Sequence, residues 1–173
     1  MRPLTAKLIL ILCLPPALPA QLSGRYTLDP AGSGSRNFKS FPAVIYQLYV
    51  YGVNGAVEVE VADGNYGPSN WSFVAVPGAS STNTVTFKSR NRLGAKMITT
   101  RTESFKVESG WLAGTAKWLI IDGFEFAASS SSNERLLIVK GVDIEIRNCK
   151  FLGYLSMSGP RMKMHHSEFQ GMS

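Results

Sequence analysis

Along residues 57–61 valine alternates with glutamate, so Val57, Val59 and Val61 share one face of an extended chain and Glu58 and Glu60 the other. This pattern predicts a half-buried strand, with Ala62, Asp63, Gly64, Asn65 and Tyr66 as the turn after it. Val85, Thr86 and Phe87 predict another strand. Beyond them, short apolar runs alternate with Gly, Ser and Asn, an all-β pattern. The exception is residues 38–52. Its β-branched and tyrosine content suits a strand. However, Ser40 is placed to cap a helix, Pro42 suits its first turn and Gly52 can end it, so the start and stop signals together predict a helix. Residues 21–37 are polar, carry Gly24, Gly32 and Gly34, and read as a lead-in segment with turns.

The hydrophobic pattern also repeats. Three segments beginning at Leu119, Ile144 and Met162 align by hand over eight residues. Apolar residues recur at the first, third and eighth places: Leu119, Ile121 and Phe126, then Ile144, Ile146 and Phe151, then Met162, Met164 and Phe169. The fifth place holds Gly123, Asn148 or His166, types that tolerate unusual backbone angles. Successive segments are offset by unequal lengths, which suits coils with loops of variable size better than an array of hairpins. A strand, a bend, a second strand and a return make one turn of a parallel β-helix, and no single coil can bury its inward face alone. In that register the outward residues form columns: Glu125, Lys150 and Glu168; Asp122, Arg147 and His165; and Glu145 with Lys163.

Residues 38–66 resemble the start of right-handed parallel β-helix proteins of the pectin-lyase-like superfamily, in which a short amphipathic helix caps the coil and a strand and a Gly-x-Tyr turn begin the first rungs. Gly64, Asn65 and Tyr66 fit that turn. Residues 77–87 resemble the next connection in secreted bacterial members, and residues 118–126 and 144–151 resemble later rungs. The resemblance implies an all-β, right-handed parallel β-helix with a capping helix at 38–52 and coils over 53–173. It is weak for activity, since the superfamily holds lyases, hydrolases, esterases and non-catalytic surface proteins. The chain stops four residues past Phe169 with no polar cap for the stack. It therefore reads as truncated, or as one whose uncapped last coil is covered by a partner, and self-association through that coil is expected.

Composition sharpens the compartment. The 173 residues are one domain's worth, with 45% apolar and 17% charged residues, so a disordered chain is excluded. Residues 1–20 open with Arg2 and Lys7, continue with an apolar run over 8–14 and end among Pro15, Pro16, Pro19 and Ala20, which is a secretory signal peptide. The run is too short for a membrane anchor, and bulky Leu12 argues against lipid attachment at Cys13. Removing the segment takes Arg2 and Lys7 and lowers the net charge from +6 to +4. It leaves Cys149 as the lone cysteine, so no disulfide forms within the exported chain. The expected product is secreted or at the cell surface, with no further membrane span.

Candidate chemistry is sparse. Lys88, Arg90 and Arg92 alternate, so a strand would present them on one basic face, suited to an acidic polysaccharide; nucleic acid is a poor match for an exported protein. Lys96 and Arg101 extend this basic stretch, whose plain alternative is a solvated loop. His165 and His166 suggest a metal, and His165 with Glu168 makes an H-x-x-E pair. Yet neighbours on a strand point to opposite faces, and no third ligand is visible. Cys149 falls at an inward place and reads as an inert thiol. Residues 129–132 are a serine run without a nucleophile motif, and Asn70, Trp71 and Ser72 fit a glycosylation triplet. No metal site, cofactor site or catalytic group is assigned. The reading is a β-helix module that binds carbohydrate or a surface. The alternatives are the N-terminal part of a polysaccharide lyase or glycoside hydrolase acting on an acidic glycan, and a structural stalk or adhesin segment.

Overall fold

A computed structural model describes residues 21–67, 72–73, 75–99, 105–107, 115–128 and 135–170, without the side chains of 105–107 and 135–138. Residues 1–20, read as a signal segment from the sequence, together with Asn70, Trp71, Arg101 and the serine run, lie outside the described residues.

The chain opens with β1 (Leu22–Leu28) and β2 (Asn37–Phe38), then α1 (Phe41–Tyr51). It continues through β3 (Val53–Val61), β4 (Gly64–Tyr66), β5 (Ser72–Phe73), β6 (Val85–Ser89), β7 (Ala95–Thr99), β8 (Phe105–Val107) and β9 (Ala116–Lys117). The remaining strands are β10 (Leu119–Asp122), β11 (Glu125–Ala128), β12 (Arg135–Val142), β13 (Glu145–Arg147), β14 (Lys150–Leu152), β15 (Tyr154–Ser158), β16 (Lys163–His165) and β17 (Glu168–Phe169).

The lead-in reading of residues 21–37 is corrected. β1 lies parallel to β3, with Tyr26 opposite Val59 and Leu28 opposite Val61, and so belongs to the main sheet. The alternation of Leu22, Gly24, Tyr26 and Leu28 carries that signal, but the glycines mask it. The helix forms where the caps placed it, although it starts at Phe41, because Phe38 pairs with Leu28 in β2. Ser40 Oγ accepts from the Ala43 amide at 3.4 Å, and Gly52, at φ 70°, donates its amide to Leu48 O. Its buried residues Phe41, Val44 and Leu48 recur at near-helical spacing. Phe41 lies edge-on to Tyr66 and stacked near Phe87, so the helix joins the same core as the strands.

The strands form three sheets, and every pairing is parallel among the described residues. One sheet has the order β16-β13-β10-β6-β3-β1-β2, the second β17-β14-β11-β7-β4 and the third β15-β12-β8-β5. From β3 onward the chain visits the sheets in the same cyclic order, one strand per sheet in each round, except that β9 adds a short second pairing to β12 in the third sheet. Gly64, Asn65 and Tyr66, expected as a turn, are the first strand of the second sheet. Tyr66 is buried there and donates its hydroxyl to Ala62 O at 2.7 Å.

The aligned repeat sets the register of two sheets. Tyr26, Val59, Phe87, Ile121, Ile146 and Met164 are consecutive partners in the first sheet. Tyr66, Met97, Phe126, Phe151 and Phe169 are consecutive partners in the second. Phe126 stacks on Phe151, and Phe151 on Phe169, with centroids 5.0 and 5.1 Å apart. The unequal offsets are absorbed between strands, as the repeat implied. Within these two columns Val59, Phe87, Ile121, Ile146, Phe126 and Phe151 are buried, while Met164 and Phe169 are 40% and 51% exposed. Those two point along the inward columns, but no described strand lies beyond them.

This difference predicts unequal costs for the same change at two stacked positions. Phe151→Ala is expected to destabilise the protein by about 3–5 kcal/mol, because it leaves a cavity between two rings. Phe169→Ala is expected to cost under about 1 kcal/mol, as the ring is half in water. Chemical denaturation of both variants checks this. Equal costs would mean that Phe169 is covered in solution.

Candidate functional site

The turns that lead into the first sheet build an open-sided groove of about 190 Å³. Two stacked columns line it. One is Ile120, Glu145 and Lys163, outward residues aligned by the strand register. The other is Trp118, Asp143 and Arg161, each lying in the turn just before a strand or the residue leading into it. Ser81 and Thr84 complete one rim.

All three turn residues are left-handed, at φ 58°, 57° and 55°. Such angles are uncommon for non-glycine residues, above all for a bulky one, and cost on the order of 1–3 kcal/mol where the surroundings impose them. At Trp118 and Asp143 the ladder imposes them. Val85 donates its amide to Trp118 O at 3.0 Å, Trp118 donates to Val142 O, and Asp143 to Pro160 O. Trp118 is half-buried and lines the groove. Above it Arg161 clamps Asp143 with two bonds, Nε to Oδ1 at 2.5 Å and Nη2 to Oδ2 at 2.7 Å. That fork holds the Asp143 carboxyl below the ordinary aspartate range, and the charges of Lys117 and Lys163 act in the same direction. Glu145 Oε1 accepts from Arg147 at 3.0 Å and faces His165 Nε2 at 3.2 Å. The groove therefore offers an aromatic edge, hydroxyls, and two carboxylates balanced by two cations. Sequence reasoning passed over it because Trp118, Asp143 and Arg161 have no common chemistry. Their shared position, one residue before each repeat, was the available signal.

The three outward columns form as expected. Glu125, Lys150 and Glu168 are lateral partners, as are Asp122, Arg147 and His165, and Glu145 with Lys163. Arg147 bridges sideways, Nε to Asp122 Oδ2 at 3.0 Å, and Asn148 Nδ2 donates to Asp122 Oδ1 at 2.7 Å. These bonds satisfy Asp122, which is largely buried.

Lys88, Arg90 and Arg92 do not share a strand face. Strand β6 ends at Ser89, so only Lys88 points outward from it, between Glu60 and Asp122. Arg90, in the turn, pairs with Glu60 at 2.8 Å and Asp29 at 3.3 Å. Asp29 is held below its ordinary range first by the Ala31 amide, with Gly32 and Arg90 adding. Arg92 crosses to Glu168 at 3.1 Å, and Lys96 pairs with Glu125 at 3.2 Å. Much of the basic charge is thus already answered. Exposed pairs of this kind stabilise by about 0.2–1 kcal/mol each.

The histidines depart from the expected geometry. His166 is left-handed at φ 51°, so the chain bends between the neighbours and their Nδ1 atoms come within 3.2 Å. The same fifth place is left-handed at Gly123 and Asn148, as the residue types suggested. Among the described residues no group of three or more His, Cys, Asp or Glu side chains is arranged to hold a metal. Cys149 is buried, and burial pushes its thiol up to about 11, so it stays protonated at neutral pH and donates to Arg147 O at 3.2 Å. No helix among the described residues is long and apolar enough to cross a membrane.

Comparison with family models, with curated proteins and with solved structures gives no match.

The Asp143–Arg161 fork carries a pH signature. Its folded pKa lies below the unfolded value, so the pair stabilises the fold above about pH 3.9 and that stability is lost as pH falls through the lower folded value. A carboxyl ¹³C titration is expected to place the Asp143 midpoint below about 3.9, and Arg161→Gln to move it back up. An unshifted midpoint in the parent protein would show that the fork does not form.

Proposed function

We propose that the chain is a secreted or cell-surface module built as a right-handed parallel β-helix, and that it binds carbohydrate in the Trp118 groove. The cyclic order of three parallel sheets and the shared core support the solenoid reading. The observation that carries the binding reading is Trp118 itself. An indole held in a strained conformation at a groove edge, beside hydroxyls and charged acceptors, matches the two-sided chemistry of a sugar ring. A pyranose has apolar C–H faces for the aromatic and equatorial hydroxyls for the polar groups. The balanced charge of the lining favours an uncharged or mixed glycan. An acidic polysaccharide would approach along Lys88, where Arg90 and Arg92 must first give up their carboxylates. Asp143 is unsuited to the general-acid role of a hydrolase. A general acid needs a carboxyl raised towards neutral pH, and Asp143 is held the other way.

Glycan-array screening followed by calorimetry tests this. Trp118→Ala is expected to lose about 10-fold or more in affinity for the glycan retained by the parent, and Trp118→Tyr to keep most of it. Parent-level binding by Trp118→Ala moves the site elsewhere, and no binding to any glycan leaves the stalk reading.

The exposure of Met164 and Phe169 supports a second copy stacking on β16 and β17. Light scattering is expected to show association that Phe169→Lys reduces; a monomer at high concentration would sink this reading.

A further inference from the structure

The chain has two histidines, and the fold brings their rings together edge-on, with centroids 5.2 Å apart. His165 ends β16, and the left-handed His166 swings its ring back, so Nδ1 faces Nδ1 at 3.2 Å. Two nitrogens bound to one metal at about 2.0–2.1 Å lie about 2.9 Å apart at a right angle and about 3.3 Å apart at a tetrahedral angle. The observed separation falls between these limits. The far side of His165 is also arranged for ligation. Nε2 sits 3.2 Å from Glu145 Oε1; the carboxylate can only accept, so Nε2 keeps the ring proton and donates it, which leaves Nδ1 unprotonated on the His166 side. Glu145 is itself held by Arg147, which is anchored on Asp122. A carboxylate behind the imidazole, itself held in place, is the usual support of a metal-bound histidine. Both rings are exposed, so a cation can reach them from solvent.

We propose that His165 and His166 chelate a divalent first-row transition metal through their two Nδ1 atoms, with the remaining positions left to water or an oxygen ligand. Imidazole nitrogen selects copper, nickel or zinc over calcium and magnesium. On binding, His166 moves its remaining ring proton to Nε2, so no net proton need be lost.

The untagged full chain, titrated with Cu²⁺ in a non-coordinating buffer, tests this by calorimetry and pulsed EPR. One Cu²⁺ per chain with two imidazole nitrogens in its spectrum is expected. Carboxylates and the amino terminus give no imidazole signature, which makes the parent spectrum decisive even if a variant folds poorly. His165→Ala and His166→Ala should each weaken binding more than about 10-fold. Glu145→Gln should keep both imidazoles and weaken binding about 10-fold. A spectrum with one imidazole or none would overturn the chelate. So would unchanged affinity in His166→Ala, or tight binding that survives loss of both histidines.

Discussion

Everything in this protein depends on strands lying parallel and in register with the strands of the round before. Parallel hydrogen bonding places like positions about 4.8 Å apart, so whatever a column begins with is repeated or answered at the next step. A slip of one residue would turn Ile121, Ile146, Phe126 and Phe151 outward and Asp122, Glu125, Arg147 and Lys150 inward. The cost of burying such charges is far beyond what any ion pair returns, and this fixes the register. The core is then a set of stacked apolar columns shared by three sheets and capped on one side by Phe41, Val44 and Leu48 of the helix.

The same register governs the turns. Left-handed residues recur as two sets: Gly123, Asn148 and His166 between the first and second sheets, and Trp118, Asp143 and Arg161 before the first. In each set the backbone of one turn bonds to the turn or strand of the next, as Gly123 does to Arg147 O and Asn148 to His165 O. Glycine and asparagine accept this conformation at little cost, while tryptophan and arginine do not. At Trp118 the strain is offset by ladder bonds on either side, and the set leaves an indole and a clamped carboxylate lining a groove.

Charge is organised by the columns as well. Alternating signs along Glu125, Lys150 and Glu168, and along Asp122 and Arg147, avoid like-charge neighbours at strand spacing. The turn arginines then reach across rounds, Arg90 to Asp29 and Arg92 to Glu168. A segment that is uniformly basic in the chain is consequently mixed in charge on the surface.

Periodicity and cap chemistry made much of the fold legible in the sequence. Alternation in β3, the eight-residue repeat, the left-handed fifth place and the Ser40–Gly52 helix signals all report local preferences that survive folding. The place of Cys149 in the repeat likewise pointed to a buried, unreactive thiol. Other features were decided only when distant segments met. Pairing with β3 made β1 a strand despite Gly24 within it, and pairing with β7 did the same for Gly64, Asn65 and Tyr66. The end of β6 at Ser89 split the expected basic face, and the backbone angle at His166 joined two rings that strand geometry would have parted. The Trp118 groove belongs to this second group. Its residues are 25 and 18 positions apart in sequence and share nothing but their place in the register, so only hydrogen bonding between rounds makes them neighbours.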